Sequence, residues 1–271
     1  MPEMSFLEAS GFSTAPDSRG GQFLGNVPEG WDIAGAVNGG FLLATCARAI
    51  CEVTEKPDIL TITGHYLAPA SAGPFRIEAT MERSGGRHST ARALLSNESG
   101  ALLSCIGTAT DLSAAEGPQL VTGEPAHLPD PEDCTPVTPG DPFPPPFMGR
   151  IDLRLVPEDA RFYEGNPTGE AKVRGWFRLR DDEVPDSLAL VLATDSFPPT
   201  IFNAALPLAW TPTIELTAHV RGLPPPAGEW MGCSFETRFI TGGYLEADGE
   251  IWNRDGTLLA QSRQLALTPR G

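Results

Sequence analysis

Three side chains and a pair of glycines carry the chemistry that this sequence can support. A carboxylate, Asp195, stands in "LATDSFPP", and a carboxamide, Gln264, in "GTLLAQSRQLA". A hydroxyl, Thr213, opens "TIELTAHV", and Gly39 and Gly40 open "GGFLLATCARAI". A carboxylate can position and deprotonate water, while an amide or hydroxyl fixes that water's orientation. Backbone N–H groups at a helix start can hold a developing oxyanion, and glycines there leave them accessible. Together these are the requirements for hydrolysing an activated acyl group. Each residue also has a purely structural use. Asp195 can cap the turn through residues 196–199, Gln264 can satisfy a buried carbonyl, and the glycines can permit close helix–sheet packing.

The elements that must position these groups follow from periodicity. Read as a strand, residues 254–266 place Leu258, Ala260, Ser262, Gln264 and Ala266 on one face. That face is apolar or small apart from the hydroxyl and the carboxamide, and an unpaired amide there is costly, so Gln264 needs a partner. Strict alternation groups Thr213 with Glu215, Thr217 and His219, opposite Ile214, Leu216 and Ala218. Thr213 begins its strand just after Pro212, however, so its hydroxyl could still reach the site from the sheet edge. Pro185 and Asp186 start a helix that runs into Pro198 and Pro199. Asp195 falls near the carboxyl end of that helix, where the dipole disfavours an anion and should raise its pKa.

The chain is written twice. Asn97, Gly100, Leu102 and Leu103 correspond to Asn253, Gly256, Leu258 and Leu259, a constant offset of 156 residues (253 − 97). At that offset Thr108 stands where the second copy has Gln264. Each half has one apolar helix-like segment followed by four strand-like stretches with hairpin signals at "SGGR", "ESGA", "TGGY" and "RDGT". The expected fold is α+β, a double hot-dog: two tandem copies of a helix wrapped by a curled antiparallel sheet. The halves are expected over residues 1–112 and 148–271, with a Pro-rich connecting segment at 113–147 that cannot hold a central strand. The alternative is two unrelated α+β domains that share common turns.

Composition narrows the function. A net charge of −16 argues against general nucleic-acid binding, which needs a basic footprint. The four histidines lie neither in HExxH nor near a cysteine pair, so no metal site is expected. There is no GxGxxG after a strand, no P-loop and no GxSxG elbow. No apolar run approaches a membrane helix, no secretory signal is visible, and the five cysteines read as reduced thiols. The chain is therefore expected to be cytoplasmic.

At these residues the sequence resembles the double hot-dog acyl-CoA thioesterases, the type II family and its thioesterase-like relatives, from about Gly21 to Pro269. Trp31, "VNGGFLLA" and "HYLAPASAGPFRIEATMERSGGRHST" resemble the family's glycine-pair helix, its F-L-x-P-x strand end and its R-x-G-R-S turn. "ATDSFPP", "WTPTIELTAHVRG" and "GTLLAQSRQLA" resemble the segments carrying the family's Asp, Thr and Gln. The resemblance implies that Asp195, Thr213 and Gln264 hold the attacking water, with an acyl-CoA substrate, no cofactor and assembly into a homodimer or larger homo-oligomer. The family's more usual D-H-S after the threonine is here Glu215, Leu216 and Thr217, which leaves substrate choice open. Arg83, Arg87, His88 and Arg92 surround a Gly–Gly turn and are the candidates for CoA phosphate, or else a solvated hairpin tip. Two other readings stay open: a catalytically silent acyl-binding protein, and a hydratase or dehydratase, which normally needs a histidine beside the Asp.

Overall fold

Gly100 and Gly256 both adopt positive φ, 125° and 85°, and each closes a tight hairpin. These are the turn glycines of the internal repeat, and their backbone conformation is one that a residue with a Cβ rarely takes. Around them the repeat builds matching elements in a computed structural model that describes residues 4–15, 21–141 and 143–269.

A short helix, α1 (Phe6–Ala9), precedes β1 (Phe12–Thr14) and β2 (Gln22–Val27). A small ribbon, β3 (Asp32–Ile33) and β4 (Ala36–Val37), leads into α2 (Gly39–Thr54). Four long strands follow: β5 (Asp58–Tyr66), β6 (Gly73–Arg83), β7 (His88–Asn97) and β8 (Gly100–Thr110). After them come β9 (Thr135–Pro136), in the Pro-rich connection, then β10 (Ile151–Leu155), β11 (Lys172–Leu179) and α3 (Ser187–Ala193). The second half closes with β12 (Thr213–Val220), β13 (Met231–Glu236), β14 (Ile240–Thr241), β15 (Tyr244–Asn253) and β16 (Leu258–Leu267). Strands β7 and β15 begin and end at the repeat offset from one another.

All of these strands except β3 and β4 join one antiparallel sheet, ordered β1-β2-β6-β7-β8-β5-β12-β16-β15-β13-β11-β10-β9, with β14 beside β15. The order reads outward in the same way from the central β5–β12 pair, where Glu215 to His219 run against His65 to Thr61. That pairing hides one edge of each half, which would otherwise invite aggregation. The Pro-rich connection contributes only β9, at the sheet's edge, where a proline's missing N–H is tolerated. Its last residues turn inward, and Phe147 is fully buried against Trp31.

The expectation of two curled sheets, each wrapping its own helix, is corrected. The sheet is open, with free ends at β1 and β9, and neither half closes on itself. Helix α2 packs on β5, β6, β7 and β8; α3 packs on β5, β12 and β16; and the two helices pack on each other. Each helix therefore shields a flank of the other, so the sheet need not fold over to bury them. Residue alternation sets which face is apolar but says nothing about curvature, which is why the sequence misled here.

The helices are antiparallel because of their ends. Asn38 caps α2, its Oδ1 accepting from the Phe41 N–H at 2.8 Å, and Asp186 caps α3 through the N–H groups of Leu188 and Ala189. The Ile59 N–H near the carboxyl end of α2 donates to Ser187 Oγ at the start of α3. At the other end, a Cβ added to Gly40 would lie 2.9 Å from the Leu192 carbonyl of α3. Only glycine allows that approach.

Candidate active site

Asp195 lies two residues beyond α3, and the fold carries it across to the first turn of α2. Its Oδ2 accepts from the Gly40 N–H at 2.8 Å, and the Asn38 side chain donates to the Asp195 backbone carbonyl at 2.8 Å. Its Oδ1 accepts from Gln264 Nε2 at 3.0 Å, and the same amide nitrogen donates to Thr213 Oγ1 at 2.6 Å. The structure thus brings Asp195, Gln264, Thr213, Gly39 and Gly40 together from four elements in both halves. Asp195, Thr213 and Gln264 all keep partial contact with solvent. Gln264 faces the core side of β16 because its amide has two oxygen partners there.

Thr213 reaches this place through an irregularity that alternation does not show. The pairing of β12 with β16 shifts between Thr213 and Glu215: Thr213 stands opposite Ala266, and Glu215 opposite Leu265. Ile214 is the extra residue, and such a bulge re-aims the side chains on one side of it. Thr213 therefore shares a face with Gln264 and Ala266 rather than with Glu215. The expectation drawn from strict alternation is overturned by this one residue.

Burial pushes the Asp195 carboxyl up to about 6, and the N–H groups of Gly40 and Gly39 with the Gln264 amide oppose that rise. The sequence pointed to the dipole of its own helix and did not announce this burial. Asp195 also sits at the amino end of the longer α2, where a dipole favours an anion. A carboxylate in this range is largely ionised at neutral pH and basic enough to take a proton from water. There is no histidine among the groups acting on it.

Two expectations for other residues change. Gly39 and Gly40 were expected to leave their N–H groups free for a substrate oxyanion, yet both act on the Asp195 carboxylate. Arg83, Arg87, His88 and Arg92 lie on or beside the β6–β7 turn. There His88 pairs with Thr110, and Thr110 in turn with Asp58, at the opposite end of β5 from Tyr66. Arg83 Nη1 meets His88 Nε2 at 2.9 Å, and Arg92 forms an exposed ion pair with Glu82 at 3.0 Å. The strand between them and the site spans roughly 25 Å, so this cluster is not brought together with Asp195.

Sequence reasoning missed Asn38 and Tyr66. Asn38 is almost fully buried, and its signal was available, since Asn immediately before a helix start is a preferred cap. Tyr66, at the end of β5, donates its hydroxyl to the Gly39 carbonyl at 2.9 Å. Nothing in the local sequence announces that contact.

Comparison with known proteins identifies the family and the fold. A model of the acyl-CoA thioesterase C-terminal domain matches residues 131–268, and one of the N-terminal domain matches residues 27–111. An uncharacterised protein of Mycobacterium tuberculosis strain H37Rv is 27% identical over 280 residues, covering 91% of each chain. The crystal structure of a candidate thioesterase II from Thermobifida fusca YX superposes with a TM-score of 0.87 at 26% identity, over 100% of this chain and 99% of that one. An acyl-CoA thioesterase II, TesB2, from Mycobacterium marinum shares the fold, with a TM-score of 0.72 at 18% identity over 99% and 98% of the two chains. A domain model covering more than half of the chain, a second covering most of the remainder, and the shared double hot-dog fold place this chain in the acyl-CoA thioesterase family.

Proposed function

We propose that the protein hydrolyses acyl-CoA thioesters to the free acid and CoA, with Asp195 as general base. The observation that carries this reading is the contact chain Asp195–Gln264–Thr213, which ends on a half-buried carboxylate with a raised pKa. Gln264 uses one N–H on Asp195 Oδ1, which leaves that oxygen a lone pair for a water proton. Thr213 accepts from Gln264, so its own O–H points elsewhere and can donate to the same water. The water is then held by its proton on Asp195 and by a lone pair on Thr213, with its second lone pair free to attack.

Attack on the thioester carbonyl carbon moves the water proton to Asp195 and forms a tetrahedral intermediate. Collapse of the intermediate breaks the C–S bond, and the leaving thiolate recovers the proton. The family membership and the likeness to thioesterase II structures support this substrate class. Gly39 and Gly40 serve the mechanism by holding the base, and no metal or cofactor is required. In this reading Arg83, Arg87, His88 and Arg92 form a hairpin tip and not a CoA site.

The test is turnover by the purified protein of acyl-CoAs from short to long chain, followed by thiol release. Hydrolysis of at least one chain length is expected. Binding of acyl-CoA with no thiol release across the panel would favour a silent acyl-binding protein instead.

A further inference from the structure

We infer that the Tyr66 hydroxyl tunes the Asp195 base through a single peptide group, the one joining Gly39 to Gly40. This rests on the proposal that Asp195 is the base. Tyr66 donates to the Gly39 carbonyl at 2.9 Å, and the N–H of that same peptide, on Gly40, donates to Asp195 Oδ2 at 2.8 Å. A hydrogen bond accepted at an amide oxygen polarises the amide and strengthens its N–H as a donor. The phenol therefore acts on the carboxylate without bonding to it.

Three observations favour this over a merely structural bond. Gly39 is the first residue of α2, so its carbonyl already has a partner one turn along the helix, and Tyr66 supplies a second bond that satisfaction does not require. The approach is also close: a Cβ added to Gly39 would lie 2.8 Å from Asp195 Oδ2 and 3.0 Å from the Tyr66 hydroxyl. Finally, the donor is kept protonated. Burial and the Asp195 charge hold the phenol well above its ordinary value, with Cys105 from β8, Cys46 from α2 and Glu215 from β12 also facing it. Tyr66 is a positioning residue in this account, since it acts on Asp195 through the Gly39–Gly40 peptide.

The experiment compares the pH dependence of kcat/KM for wild type, Tyr66→Phe and Asp195→Asn on one acyl-CoA. Phenylalanine keeps the ring and removes the donor. The Asp195 carboxylate then loses part of its stabilisation, and the acid limb should move up by roughly half a pH unit. That shift appears as an about twofold loss of kcat/KM near pH 6, approaching about threefold below pH 5 and recovering in mild alkali, with KM unchanged. Incorporating a fluorotyrosine at Tyr66, a stronger donor of similar shape, should move the limb the other way, and it serves as the test if the Phe variant does not fold. An acid limb unmoved by either change, with Asp195→Asn inactive, overturns the inference and leaves the base assignment standing. An active Asp195→Asn protein overturns the base assignment itself.

Discussion

The Asp195 carboxylate and the Gly40 N–H stand 2.8 Å apart, and that bond ties the second residue beyond one helix to the first turn of the other. It crosses between the two halves of the chain, so the candidate site exists only where both halves meet. A Cβ at Gly40 would lie 2.8 Å from Asp195 Cβ and 2.9 Å from the Leu192 carbonyl. Gly40→Ala should therefore displace Asp195 while the helix itself persists. A catalytic group displaced by about 1 Å can lose roughly 10²-fold in rate, so kcat should fall by about that much with an unchanged circular dichroism spectrum. An unchanged kcat would mean that this bond does not position the base.

Asp195 should also cost the protein stability. Its carboxyl is raised from 3.8 to about 6, so ionisation is harder in the folded than in the unfolded chain. The stabilisation from its protonated form is fully present below pH 3.8 and is lost as pH rises through about 6. Above that range the ionised group costs up to about 3 kcal/mol, less whatever its residual solvent contact relieves. Asp195→Asn should then be more stable than wild type at pH 7, and the difference should shrink as pH is lowered towards 4. Urea denaturation at the two pH values measures it; equal stability at neutral pH would show that the carboxylate carries no strain.

Gln264→Ala removes a donor that lowers the Asp195 pKa, so the acid limb of kcat/KM should move above about pH 6. It also leaves Asp195 Oδ1 and Thr213 without their shared partner, at a cost of about 1–3 kcal/mol in stability. Thr213→Val removes an acceptor 2.6 Å from the amide, and a neutral hydrogen bond of about 1 kcal/mol corresponds to a roughly fivefold loss of kcat. Deleting Ile214 should be milder than Thr213→Val, because Thr213 then directly precedes Glu215 in a regular ladder and stays opposite Ala266, on the Gln264 face. An Ile214 deletion with more activity than Thr213→Val would support the register assignment, and the reverse order would contradict it.

How much of this was legible depends on the kind of information each residue carries. The offset relating Asn97 to Asn253 gave the repeat, and turn glycines with alternation gave the long hairpins, because each is a local property of the chain. The inward facing of Gln264 was readable for the same reason. The facing of Thr213 was not, since a bulge is fixed by the register between β12 and β16. Sheet curvature and the Tyr66–Gly39 contact were hidden as well: both arise from how β5 meets β12 and α2 meets α3, and no short stretch of sequence encodes that meeting. Asn38 was legible in principle as a cap, but its second bond to the Asp195 carbonyl needed the fold.

The β6–β7 hairpin supplies a negative prediction. Arg83→Ala and Arg92→Ala alter exposed contacts at the far end of β5 from the site and should leave KM for acyl-CoA unchanged. A marked rise in KM would restore that turn as a CoA phosphate site.

The most direct test of the central claim is the kcat of Asp195→Asn on an acyl-CoA that the wild type hydrolyses, measured on protein shown to be folded by its thermal transition. Asparagine keeps the shape of the side chain and removes its basicity. The account predicts a fall of roughly 10²- to 10⁴-fold, together with loss of the acid limb that wild type shows near pH 6. Hydrolysis at the wild-type rate would contradict it and leave Asp195 as a residue that only joins the two helices.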